Sequence, residues 1–251
     1  MYQVIDYNYY TKKVIVRDDE LGWQEIDYKP TYNKLDDNGE FFTLDGKRVS
    51  PTHEMDKTQP TKFYEIDIPT ETNALVDIYK ESDDTPKWHN VVFLDIECEI
   101  GGALTIEYIK RAPMKITSVA LYDSTLKKYY CLILDEKQQL ERVEEEGKEI
   151  IPYNTEKDLL KGFLSKWEEC DPTIISGWNS EFFDIPYLYY RMCNVLGDQH
   201  ANRLSPLKRC KPTGYGDEET IKISGINHLD YMLLHKKFIM SQEPSYALAA
   251  I

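Results

Sequence analysis

Asp95, Glu97 and Glu99 crowd the end of the stretch VVFLDIECE, residues 91–99. Val91, Val92, Phe93, Leu94 and Ile96 make that stretch a nearly continuous apolar run, which reads as a buried strand. Side chains two apart on a strand share a face, so the three acids line up with Val91 and Phe93. Like charges this close repel and lose hydration unless something compensates them. Mg2+ or Mn2+ would do so, because these hard cations take oxygen ligands from carboxylates converging from different elements. Two such ions about 4 Å apart activate a water and stabilise a leaving 3′ oxygen in phosphodiester hydrolysis. Taken alone, Asp-Ile-Glu is a weak signal: short matches arise by chance, and a strand end reaching solvent also carries acids.

A second group changes the weighing. GWNSEFFDIPYLYYR, residues 177–191, sets Asn179, Phe183 and Asp184 at a strand-to-helix junction. The structural alternative for Asp184 is a helix N-cap followed by Pro186 in the first turn, and for Phe183 a core position. An aspartate at the mouth of a second element is also where a third metal ligand would come from. Both groups occurring together is far less expected by chance than either alone.

The elements that must hold these residues divide the chain in two. Residues 1–90 alternate short β-like runs with turn signals: YQVIDYNYY, KKVIVRDDE and FYEIDI read as strands, and an Asn-Gly and an Asp-Gly mark turns. ESDDTPKW, residues 81–88, is polar, contains Pro86 and reads as the linker. In residues 91–251, VVFLDIECE, KITSVALYDS and KKYYCLILDE read as three successive antiparallel strands. The connection IGGALTIEYIKRAP is longer than a tight turn and is expected over the sheet edge or near the site. Leu159, Leu160, Phe163, Leu164 and Trp167 share one helical face, with Thr155 as N-cap and Asp158 three residues on. PTIISGWN gives a short strand, a second helix runs from near Asp184 to Gly197, and LSPLKRCKPTGYGDEETIKISG reads as a β-hairpin with a glycine-rich tip. INHLDYMLLHKKF is a strand or a helix. Strands first, then helix and strand in alternation, point to an α/β fold with a mixed sheet, preceded by a smaller β-rich unit.

Composition bounds the classes. The 251 residues carry a formal charge of −14, which argues against nonspecific coating of nucleic acid. Residues 203–237 run the other way, with seven basic residues against four acids. That segment is a solvated hairpin or a phosphate-contacting surface. ERVEEEGKE, residues 141–149, reads as a solvated loop or helix face. The five cysteines are scattered and never spaced CxxC, which suggests reduced thiols in a cytosolic compartment and no structural zinc site. The sequence has neither a signal-peptide pattern nor an apolar run long enough for a membrane helix, so no membrane partner is expected.

FLDIE followed by GWN-x-x-x-FDIPYL resembles the first two exonuclease motifs of family B DNA polymerases, of the T-even bacteriophage kind. RLSPLKR, ISGINHLDY, HKKF and EPSYAL are similar to the segment after the second motif, and DYKPTYNKLDDNGEFFTLDGKRVSPT more loosely to the N-terminal domain. The resemblance implies a ribonuclease-H-like exonuclease domain over 91–251 after an N-terminal domain over 1–90. It implies two divalent ions, Mg2+ or Mn2+, held by Asp95, Glu97 and Asp184, which hydrolyse the 3′-terminal phosphodiester of single-stranded DNA during proofreading. It gives Asn179 and Phe183 the placing of the terminal nucleotide and local packing. Glu99 matches no ligand and reads as a strand-end or supporting acid, and Asp230 lies in a matching segment without being a metal-binding acid. The implied partners are the primer 3′ end, a polymerase portion in cis or as a separate chain, and a sliding clamp through that portion. The implied location is the cytoplasm of a bacterial host.

The family's third motif, Tyr-x-x-x-Asp, has no fitting match here: Tyr122 directly precedes Asp123, and Asp184 precedes Tyr187 in the wrong order. SYALAAI, with Ser245 as a candidate N-cap, starts an apolar helix and reaches Ile251 at once. The expectation is a truncated product or one piece of a split protein, with an impaired exonuclease site and no polymerase activity. Two other readings stay open. One is a split-polymerase subunit or single-strand-binding module without catalysis of its own, using the basic segment. The other is a two-metal nuclease that prefers RNA.

Overall fold

The computed structural model describes residues 1–99, 101–102, 105–239 and 245–247. They fall into two compact units, Met1–Lys87 and Trp88–Ile251.

The first unit holds two antiparallel sheets. Strands β1 (Tyr2–Asn8), β2 (Lys13–Asp18) and β3 (Gly22–Asp27) form one. Strands β4 (Tyr32–Leu35), β5 (Phe41–Phe42), β6 (Arg48–Thr52) and β7 (Phe63–Tyr64) form the other, in the order β5-β6-β4-β7. The FYEIDI strand is cut to two residues because Glu65 takes a left-handed φ of 61°, which ends extended pairing. Helix α1 (Thr70–Tyr79), which periodicity does not reveal, lends Ala74 to a small core with Tyr7, Val14 and Val16.

The second unit is built on a mixed seven-stranded sheet. Its strands are β8 (Val91–Cys98), β9 (Ile116–Asp123), β10 (Lys128–Leu134), β11 (Val143–Glu145), β12 (Lys148–Tyr153), β13 (Ile174–Ser176) and, after the separate hairpin β14 (Cys210–Thr213) and β15 (Thr220–Ile223), β16 (Asn227–His228). The order is β11-β12-β10-β9-β8-β13-β16. Strands β8, β9 and β10 are antiparallel neighbours, as the sequence predicts, while β13 runs parallel to both β8 and β16. The acidic run at 141–149 is neither loop nor helix face. Gly147, at φ 77°, turns it into the β11–β12 hairpin at the sheet edge, where its charges discourage pairing with another chain.

Helix α2 (Ile106–Arg111) lies in the long connection after β8. Helix α3 (Glu156–Cys170) starts at Thr155, whose hydroxyl accepts the Asp158 N–H as predicted. Its stripe of Leu159, Leu160, Phe163, Leu164 and Trp167 is fully buried, each side chain contributing about 1.5–3 kcal/mol relative to exposure. Helix α4 (Asp184–Leu196) ends at Gly197, and the short α5 (Asp198–Ala201) follows. INHLDYMLLHKKF supplies both kinds of element, β16 and then α6 (Tyr231–Phe238), capped by Asp230. Of the predicted final helix, residues 245–247 carry no regular structure and 248–251 lie outside the described residues. The five cysteines are free. Among the described residues no helix is long and apolar enough to cross a membrane.

The expectation that β8 is a buried strand holds for one face only. Val92, Leu94 and Ile96 join the core with α3 and α4, whereas Phe93, Asp95 and Glu97 point to solvent. Phe93 is 43% exposed and rests on Tyr122 of β9, which rests in turn on Tyr129 of β10. A cross-strand aromatic row on the open face therefore produces the apolar run that sequence alone assigns to the interior.

Gly177 marks where the chain leaves β13. A Cβ there would lie 2.6 Å from the Leu94 carbonyl oxygen and 2.7 Å from the Ser180 Cβ. Because backbone cannot step aside cheaply, Gly177→Ala is expected to destabilise the second unit by roughly 1–3 kcal/mol, read from urea unfolding. An unchanged midpoint would show that the β13 exit is looser than this packing.

Candidate exonuclease site

Asp95 and Glu97 stand two residues apart on the open face of β8. Directly beyond Glu97 the pairing with β9 shifts register, from Glu97 opposite Ser118 to Cys98 opposite Ile116. Such irregularities re-aim side chains at a strand end. Partial burial, and then the neighbouring Glu97 charge, push the Asp95 carboxyl above its ordinary range. Glu99 is exposed past the end of β8, and its backbone N–H donates to the Lys115 carbonyl.

Asp184 arrives from the other side of the sheet register. Strand β13 pairs with β8 only as far as Ser176 opposite Phe93. The next stretch of β8 therefore lacks a strand partner on that side, and the Ile96 N–H donates instead to Asp184 Oδ1 at 2.9 Å. Asp184 is 3% exposed and occupies the first turn of α4. It is not the helix N-cap: Phe183 holds that position, without a side-chain capping bond. Burial pushes the Asp184 carboxyl up to about 7. The Ile96 N–H opposes that shift and the Asp95 charge adds to it.

The turn between β13 and α4 is built around Asn179, which takes a left-handed φ of 61° that asparagine tolerates better than most residues. Its carbonyl accepts the N–H groups of Phe182 and Phe183. The Phe183 ring is half-buried against the core, 5.7 Å from that of Tyr187.

Asp184 thus bonds to the backbone between Asp95 and Glu97 and lies within reach of the Asp95 charge. Among the described residues, however, no three His, Cys, Asp or Glu side chains are gathered closely enough to hold a metal ion as one group. The donors are all carboxylates, so they fit a hard divalent cation by chemistry, as pairs rather than as an assembled triad. The predicted basic segment is partly committed elsewhere, since Arg203 and Lys208 both pair with Glu168 and Arg209 donates to Ser224. Asp230, which the resemblance puts in a matching segment without making it a metal-binding acid, is buried and caps α6.

The family model for the exonuclease domain of DNA polymerase family B matches residues 30–251. The chain belongs to that family. The exonuclease domain family generally uses divalent metals. The mixed sheet with its flanking helices agrees with the ribonuclease-H-like fold expected of the domain. The match begins inside the first compact unit. Among curated proteins, the chain is 43% identical over 102 residues to the DNA-directed DNA polymerase of Escherichia phage RB69, covering 39% of this chain and 11% of that protein. It is 37% identical over 105 residues to the DNA-directed DNA polymerase of Enterobacteria phage T4, covering 40% of this chain and 12% of that protein. It is 26% identical over 140 residues to the DNA polymerase delta catalytic subunit of Dictyostelium discoideum, covering 56% of this chain and 12% of that protein. The aligned segments are therefore a small part of each relative's own length.

Proposed function

We propose that this exonuclease domain removes nucleotides from the 3′ end of single-stranded DNA as the proofreading part of a viral replicative polymerase. Asp95, Glu97 and Asp184 are its working carboxylates. The reading rests above all on one observation: the acid of the second motif hydrogen-bonds the backbone between the two acids of the first, at Ile96. Two elements far apart in sequence are thereby fixed to one another at the point where the chemistry needs them.

Mg2+ or Mn2+, when bound, supplies a Lewis acid that activates water and stabilises the leaving 3′ oxygen. Asp95 and Glu97 concentrate negative charge on a stiff strand, so a DNA phosphate is repelled there without a cation. Asp184, tied to Ile96, keeps one carboxylate oxygen in fixed relation to that pair. Asn179 and Phe183, at the entrance to α4, are placed to orient the terminal nucleotide. Residues 1–90 serve as the N-terminal domain and 91–251 as the exonuclease domain. This reading puts the work in the cytoplasm of a bacterial host, with a polymerase portion and a sliding clamp as further partners; the likeness to phage DNA polymerases supports it. The reading as a noncatalytic single-strand binder is less favoured, since Glu168 already occupies Arg203 and Lys208.

The test joins the chain to a segment carrying the family's third motif and incubates it with a 5′-labelled single-stranded oligonucleotide. A ladder shortening from the 3′ end, dependent on Mg2+ or Mn2+ and abolished by chelation, is the expected result. Preference for the RNA form of the oligonucleotide would favour a ribonuclease instead, and the absence of any metal-dependent ladder would refute the proposal.

A further inference from the structure

The segment that follows the β14–β15 hairpin runs alongside β13 and continues past its end. The N–H groups of Asn227, Leu229 and Tyr231 donate in turn to the carbonyls of Thr173, Ile175 and Gly177. Where this backbone ladder stops, a side chain takes over. Asp230, 2% exposed, accepts the Asn179 N–H at Oδ1 (3.3 Å) and the Glu181 N–H at Oδ2 (2.9 Å). The same Oδ1 caps α6 by accepting the N–H groups of Met232 and Leu233. Beside it, the Ser180 hydroxyl meets His228 Nε2 at 2.9 Å, and burial holds that imidazole down to about 4.

A helix cap needs only one oxygen. The second oxygen of Asp230 reaches the turn that delivers Asp184 to Ile96. The Thr220 hydroxyl also donates to the Glu181 carbonyl and Ser180 meets His228, but the Asn179 and Glu181 N–H groups, which have no strand partner, are both held by Asp230. From Asn179 the chain passes directly through the Phe183 and Ile185 N–H bonds, to the carbonyls of Asn179 and Ser180, into the first turn of α4.

We infer that Asp230 is a positioning residue for the carboxylate site, holding the Asn179–Glu181 turn so that Asp184 meets β8. It touches neither substrate nor the reacting atoms, and the inference deepens the exonuclease reading and rests on it. Serine at 230 retains an N-cap oxygen but is too short to span to the turn. Asparagine retains the cap through its oxygen but turns an N–H2 donor toward the Glu181 N–H.

Binding of Mn2+ alone to the 251-residue chain, followed by electron paramagnetic resonance, reads the effect without any turnover. Asp230→Ser and Asp230→Asn are each expected to weaken Mn2+ binding by about 10-fold, the lower end of what loss of a supporting partner costs a metal site. In both, amide exchange is expected to accelerate at Asn179 and Glu181 while Met232 and Leu233 stay protected. A purely structural role would lower the melting temperature and leave Mn2+ affinity in the folded protein unchanged. Two variants keep the test decisive if one fails to fold. Unchanged affinity in both, with Asp184→Asn weakened, overturns the positioning role. Unchanged affinity in Asp184→Asn itself overturns the exonuclease reading beneath it.

Discussion

In the chain joined to a third-motif segment, replacing Asp95 and Glu97 together by alanine is expected to cut 3′-end digestion by roughly 10³-fold or more, with the melting curve almost in place. Loss of a single preorganised electrostatic group in an active site already costs about 10²–10³-fold, and here two acids of one site are removed at once. Stability behaves differently because of where the side chains point. Both acids stand on the open face of β8, while its packing comes from Val92, Leu94 and Ile96 on the opposite face. Exposed substitutions usually fall within about 0.5 kcal/mol, and relief of the repulsion between the acids works in the stabilising direction. The double variant should therefore be well folded and inactive. Digestion at the parental rate by the folded variant would remove these acids from the chemistry. A large fall in melting temperature would instead show that the open face carries packing that the exposure of Asp95 and Glu97 does not reveal.

The residues proposed for this site can be picked out of the sequence, but the bond that ties Asp184 to β8 cannot. The spacing of Asp95 and Glu97 follows from the two-residue period of any strand, and α3 was readable because Leu159 to Trp167 repeat at helical spacing behind a threonine cap. The sidedness of β8 was not readable. Phe93, Tyr122 and Tyr129 form an aromatic row on the open face, and an exposed aromatic is the same letter as a buried one. Helix α1 escaped notice because Ala74 is its only buried residue, too little for a stripe. The local setting of Asp184, before Pro186, suits the alternative of a helix cap, a position that Phe183 holds. The actual partner of Asp184 becomes available only because β13 stops at Ser176 and leaves the Ile96 N–H without a strand, and that depends on tertiary pairing. Asp230 is the same case: capping is a local property that a sequence can display, whereas a second oxygen reaching a turn some fifty residues earlier is not.

Asp184→Asn is expected to stabilise the metal-free chain at pH 8 while removing its function. The carboxyl is buried, and its value in the folded chain is about 7 against 3.8 when exposed. Below about 3.8 the acid is neutral in both folded and unfolded chains and carries no penalty. Between that value and about 7 the unfolded chain releases its proton while the folded chain keeps it, so stability falls as pH rises. Above about 7 the folded carboxylate is ionised as well, and the loss is complete. At about 1.4 kcal/mol for each tenfold difference in proton affinity, the ceiling is about 4 kcal/mol. Asparagine has nearly the same shape, can still accept the Ile96 N–H through its oxygen, and never ionises. Urea unfolding at pH 5 and pH 8 should therefore show a steeper decline in the parent than in Asp184→Asn. The variant's advantage at pH 8 should be roughly 2–4 kcal/mol in the presence of chelator. Adding Mn2+ should narrow that gap by stabilising the parent alone, since a ligand that binds only the folded chain raises its stability by mass action. Parallel pH profiles in chelator would mean that the Asp184 carboxylate is solvated well enough to ionise freely. The site would then have no stored cost for a cation to offset, and metal affinity would have to come from Asp95 and Glu97 alone.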